Sequence, residues 1–119
     1  MIERISMEPP NLIAYIIDGD LSKQDVERVH RDLRRLFETH ESIQLYLDIR
    51  ALDTMSPQAV IEDLKLLPEY LRKLERVAIV GDKDWHAWFA KLSDAITRGK
   101  MRYFPPEEAT RAQNWLRQG

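Results

Sequence analysis

Residues 42–50 read SIQLYLDIR, and the period of that stretch decides the class of fold. Ile43, Leu45, Leu47 and Ile49 alternate with Gln44, Tyr46 and Asp48. A two-residue period puts the two sets on opposite sides of a pleated strand, where a helix would mix them. This is the clearest strand in the chain, and the segments on either side take their assignments from it.

Upstream, Glu3–Met7 predicts a first strand, stopped by Pro9-Pro10, and Leu12–Asp18 a second, ended by Gly19-Asp20. The short break between them predicts an antiparallel hairpin. Ser22 with Asp25 three residues on is a variant capping box, which satisfies free amide donors at a helix start. Val26, Val29, Leu33, Leu36 and Phe37 then recur at helical spacing as far as Thr39.

Downstream, Ser56-Pro57 opens a second helix, since proline fits the first helical position, where no amide donor is needed. Val60, Ile61, Leu64, Leu67, Leu71 and Leu74 form its stripe. Pro68 inside that stripe removes one helical hydrogen bond and predicts a kink near Leu67. RVAIVGD at 76–82 is a buried, β-branched strand, and Asp82 or Asp84 caps a third helix carrying Trp85, Trp88, Phe89, Leu92 and Ile96. Gly99 ends that helix, KMRYF at 100–104 is a fifth strand, and Pro105-Pro106 open a last helix with Ala109, Ala112, Trp115 and Leu116 on one side.

The order is ββαβαβαβα, an α/β fold whose sheet is mixed but mostly parallel, with right-handed crossovers. A parallel sheet covered on both faces has nearly continuous apolar strands. The polar set Gln44, Tyr46 and Asp48 therefore predicts helices largely on one face, with the other partly open.

The chain has 119 residues, a usual size for one domain, and residues 1–119 are read as one. With 18 basic and 20 acidic residues its formal net charge is −2, which lacks the basic footprint of a nucleic-acid binder. It has no cysteine, hence no disulfide, thiolate metal site or thiol nucleophile. The opening MIERISMEPPN is charged from its third residue, unlike a signal or transit peptide. No apolar run approaches the roughly 20 residues that span a bilayer. These features predict a cytoplasmic protein whose membrane contact, if any, is peripheral.

This element order, with ERVAIVGDKDW at 75–85, RYFPPEEATRAQNWL at 102–116 and LYLDIR at 45–50 before a capped helix, resembles the SpoIIAA-like family of small bacterial proteins. That family is grouped with STAS domains (anti-sigma-factor antagonists) and the SEC14 lipid-carrier fold. The resemblance covers nearly the whole chain and implies a SpoIIAA-like (STAS) fold. STAS antagonists carry a phosphorylatable serine in an Asp-Ser-Ser-Gly or similar turn after the third strand. Here DIRALDTMSPQAV places Ser56 near that position, but no glycine follows it. Ser56 before Pro57 thus reads first as a helix cap, and is the candidate partner or phosphorylation site.

Candidate chemistry elsewhere is sparse. His30, His40 and His86 show no metal-ligand spacing and read as surface residues. No glycine-rich phosphate cradle and no nucleophile elbow is present. The sequence implies no enzyme, no metal and no cofactor. Arg28, Arg31, Arg34 and Arg35 alternate with acids and read as a solvated helix face. Trp85 lies in the first turn of the third helix, at the carboxyl edge of the sheet where α/β ligands bind. The leading expectation is a non-catalytic binding module for an apolar or lipid-like molecule, or for a membrane surface, lined by Leu64, Leu67, Leu71, Trp85, Trp88 and Phe89. The alternative is a STAS-type regulatory module with a protein partner at the Ser56 edge. The alternation at Gln44, Tyr46 and Asp48 also leaves room for a homodimer across an open sheet face.

Overall fold

The computed structural model describes residues 1–55, 73–84 and 100–118. Its strands are β1 (Ile2–Ile5), β2 (Leu12–Leu21), β3 (Ile43–Met55), β4 (Leu74–Val80) and β5 (Met101–Phe104). Helix α1 spans Lys23–Thr39, and a 3-10 turn at Pro106–Glu108 leads into α2, Ala109–Arg117. The expected second and third helices fall outside the described residues, except that Leu74, expected at the end of the second helix, is the first residue of β4, paired with Ile43.

The strands form one five-stranded sheet in the order β1-β2-β3-β4-β5. β1 is antiparallel to β2, as the short hairpin connection requires, and the other neighbours are parallel.

Strand boundaries depart from the sequence reading where pairing overrides local signals. β1 begins one residue earlier and stops at Ile5, because its register runs from Ile2 opposite Ile17 to Ile5 opposite Ala14. β2 runs through Gly19 to Leu21 instead of ending there. Gly19 takes φ 61°, a conformation glycine adopts without steric cost, and the register shifts beside it. β3 continues past Arg50 to Met55, since Ala51–Met55 pair with Asp18–Leu21 of β2 beyond the point where β4 ends.

Helix α1 begins as its sequence dictates. The Ser22 side chain accepts from the Asp25 amide at 3.2 Å, and the Asp25 carboxylate accepts from the Ser22 amide at 3.1 Å. Val26, Leu33 and Phe37 are buried on the sheet with Ile13, Tyr15, Ile43, Leu45, Ile49 and Ile79. Arg28, Arg31, Arg34 and Arg35 are exposed on the other side of the helix, as expected. His30 is not a surface residue: it is 3% exposed, one turn from Val26 along the apolar stripe.

The second sheet face is covered by α2 over much of its area, with Ile16 and Arg102 left exposed. Leu12, Ala14, Tyr46, Ala78, Val80 and Phe104 pack there against Ala112 and Leu116 of α2. Gln44, Tyr46 and Asp48 do point away from Ile43 and Leu45, but all three are buried. That face of β3 therefore offers no free surface for the homodimer drawn from the polar alternation.

Candidate functional site

The carboxyl ends of β2 to β5 converge on one edge of the sheet and bring together residues distant in sequence. Asp48 is the last β3 residue paired to β4, opposite Val80. Its side chain is 8% exposed and accepts four hydrogen bonds from three donor groups of one residue, Arg50. The Arg50 amide donates to Oδ1 at 3.1 Å, its Nε to Oδ1 at 3.0 Å and Oδ2 at 3.2 Å, and its Nη2 to Oδ2. Bidentate geometry and partial burial make this a strong charge-assisted contact. The hydrogen bonds and charge of Asp48 push the Arg50 pKa up further. Behind it, burial and then the Asp48 charge push the Tyr46 phenol up, while a hydrogen bond from Gln113 of α2 pulls the other way.

Next along the edge, the Tyr103 hydroxyl donates to the Gly81 carbonyl at 2.7 Å, tying the end of β5 to the turn after β4. Burial raises the pKa of this phenol, and the charges of Asp82, Glu107 and Asp84 add to the rise. Lys83 crosses to the overhanging end of β3, where its Nζ donates to the Leu52 carbonyl at 2.9 Å and to Asp53 Oδ1 at 3.1 Å. The Thr54 hydroxyl bonds the Asp20 carboxylate between β3 and β2.

Among the described residues the edge is acidic: Asp20, Asp48, Asp53, Asp82, Asp84 and Glu107 lie at or just beyond the strand ends, against Arg50 and Lys83. Both cations are committed, one to Asp48 and the other to Asp53. Among the described residues no group of three or more His, Asp or Glu side chains could hold a metal ion. Nor does any described helix have the length and apolarity to cross a membrane.

The sequence-derived site residues Leu64, Leu67, Leu71, Trp85, Trp88, Phe89 and Ser56, with Pro68, lie outside the described residues. In the chain, Ser56 follows Met55 of β3 and Trp85 follows Asp84. Sequence reasoning missed the Asp48–Arg50 pair, although two-residue spacing in a strand was a usable signal. It had no means of finding Lys83 with Asp53, because thirty residues separate them.

Two comparisons with known proteins bear on this architecture. A crystal structure of an uncharacterised protein from Shewanella loihica PV-4, of the DUF3478 family and described as having a SpoIIAA-like fold, matches with a TM-score of 0.78 and 26% identity. The match covers 98% of this chain and 92% of that one. No curated protein matches the chain. The SpoIIAA-like family model matches residues 12–117, from the first residue of β2 to the last of α2, and the chain belongs to the SpoIIAA-like family.

Proposed function

We propose that the protein is a non-catalytic, STAS-type binding module that docks a protein partner on the carboxyl edge of its sheet. The observation that carries this reading is the acidic edge itself. Carboxylates from four strand ends gather there, and the two cations among its described residues are occupied by Asp48 and Asp53. Such a surface has low affinity for anionic membranes and favours a basic protein segment, whose approach it steers electrostatically. It has a fixed framework for recognition in the Asp48–Arg50 fork and the Tyr103–Gly81 tie. The apolar-ligand reading draws its support from Leu64, Leu67, Leu71, Trp85, Trp88, Phe89 and the family likeness to lipid carriers.

Native mass spectrometry of the protein purified from its own host separates the two readings. A bound polypeptide supports the partner reading, provided that Asp84→Lys with Glu107→Lys abolishes it while leaving circular dichroism unchanged. A bound small apolar mass, unaffected by that charge reversal, overturns it in favour of the ligand.

A further inference from the structure

Away from the acidic edge, on the α2 face toward the starts of β4 and β5, two arginines share one indole. The Arg76 guanidinium carbon lies 5.1 Å from the ring centroid of Trp115. That of Arg102 lies 5.8 Å from the same ring and 5.0 Å from the ring of Phe104. Phe104 and Trp115 are themselves 5.8 Å apart and tilted by 52°. Arg76 sits near the start of β4, and Arg102 projects from the same face of β5, since it pairs with Ala78.

Part of this arrangement has an ordinary structural use. Arg76 Nη1 donates to the Trp115 carbonyl at 2.6 Å, satisfying one acceptor in the last turn of α2. Among the described residues that bond leaves most of its donors uncommitted. Arg102 is exposed and has ring contacts but neither a hydrogen bond nor an ion pair among the described residues. Among the described residues neither arginine is paired with a carboxylate. Glu75, next to Arg76 in the chain, accepts instead from the Gln44 amide at 2.8 Å. Arg111 of α2 is paired with Glu108.

Stacking fixes a guanidinium by its face and leaves the N–H donors around its rim in a defined plane. That is the geometry in which arginine takes an oxyanion with two parallel hydrogen bonds. Two cations beside one aromatic pair repel one another, and an anion beside them relieves that repulsion. We propose that Arg76, Arg102 and Trp115 form a binding site for a phosphate-type oxyanion, held through the rim of Arg102 with Arg76 as the second cation. This site is independent of the partner surface, from which it differs in both sign of charge and position.

The test is nuclear magnetic resonance of the full chain titrated with inorganic phosphate at constant ionic strength. The Arg102 Nε–H and Trp115 indole resonances should shift saturably, and chloride should not reproduce the shift. Arg102→Gln should weaken binding about tenfold or more, the loss expected for hydrogen bonds to a charged group. Arg102→Lys should recover only part of it, and Arg111→Gln should leave it unchanged. Sedimentation with phosphatidylcholine vesicles, with and without phosphatidic acid, then distinguishes a lipid headgroup from a soluble phosphate ligand. Absence of saturable shifts, or equal losses in Arg102→Gln and Arg111→Gln, overturns the proposal.

Discussion

Tyr15 is fully buried between β2 and α1, and its hydroxyl donates to Asp32 Oδ2 at 2.6 Å. Burial, the hydrogen bond to Asp32 and that residue's charge all push the phenol's pKa up from 10.0. The folded protein therefore keeps a proton that the unfolded chain releases above about pH 10. Stability from Tyr15 is complete below that pH and falls as pH rises, by about 1.4 kcal/mol per unit. Tyr15→Phe should cost about 1 kcal/mol at neutral pH through the lost hydrogen bond. It should also flatten the alkaline limb of a urea-unfolding series, and an unchanged limb would rule Tyr15 out as its source. The Asp48–Arg50 pair predicts an asymmetry of a different kind. Asp48→Asn keeps the shape and some acceptors, so it should cost about 1–2 kcal/mol. Arg50→Met strands a buried carboxylate and should cost more, about 2–3 kcal/mol, discounted for the exposure of the Arg50 side chain. Urea midpoints of both variants read the order directly; the reverse order would show that the pair is held chiefly by something else.

Helix α1 depends on its capping box at one end and on its buried stripe along its length. Ser22→Ala removes the acceptor for the Asp25 amide and should cost about 1 kcal/mol. Ser22→Asp, which also caps, should recover most of that in thermal unfolding. In β2 the controlling feature is Gly19, whose positive φ lets the strand bulge and continue alongside β3 to Leu21. A Cβ added at Gly19 would meet no atom within 4 Å, so the cost of Gly19→Ala comes from the backbone alone. That cost should be about 1–2 kcal/mol, with Gly19→Asn milder because asparagine tolerates this conformation. Amide exchange should quicken in Asp20 and Leu21 of the alanine variant before it does in Leu12–Tyr15.

Among the described residues two charged clusters lie at opposite ends of the sheet, and each face of the sheet carries an apolar core. Six carboxylates gather at the carboxyl edge, and the Arg76 and Arg102 guanidinium groups lie on the α2 face toward the other end of the strands. Partner binding at the acidic edge should therefore weaken as salt rises, over the concentration range in which exposed charges are screened. The two cores, one under α1 and one under α2, consist of side chains packed without any metal-binding cluster among the described residues. Exhaustive chelation should then leave the thermal midpoint where it was. A fall of several degrees would reveal a structural metal.

What the sequence determined by itself was whatever depends on a few adjacent residues. Alternation at 43–49 made β3, Ser22 with Asp25 made the start of α1, Pro105-Pro106 made the turn into α2, and the quoted motifs carried the family. The tertiary structure alone decided what depends on partners far along the chain. Gly19 and Asp20 read locally as a strand end, yet pairing to Leu52 and Thr54 carries β2 through them. Gln44, Tyr46 and Asp48 read as a partly open face, yet all three are buried, Tyr46 in the cluster that α2 completes from the far end of the chain. The acidic edge and the arginine pair around Trp115 are likewise assembled from separate elements. Hydrogen-bond propensity and side-chain period act over a few residues, whereas burial and charge are set by whichever element packs alongside.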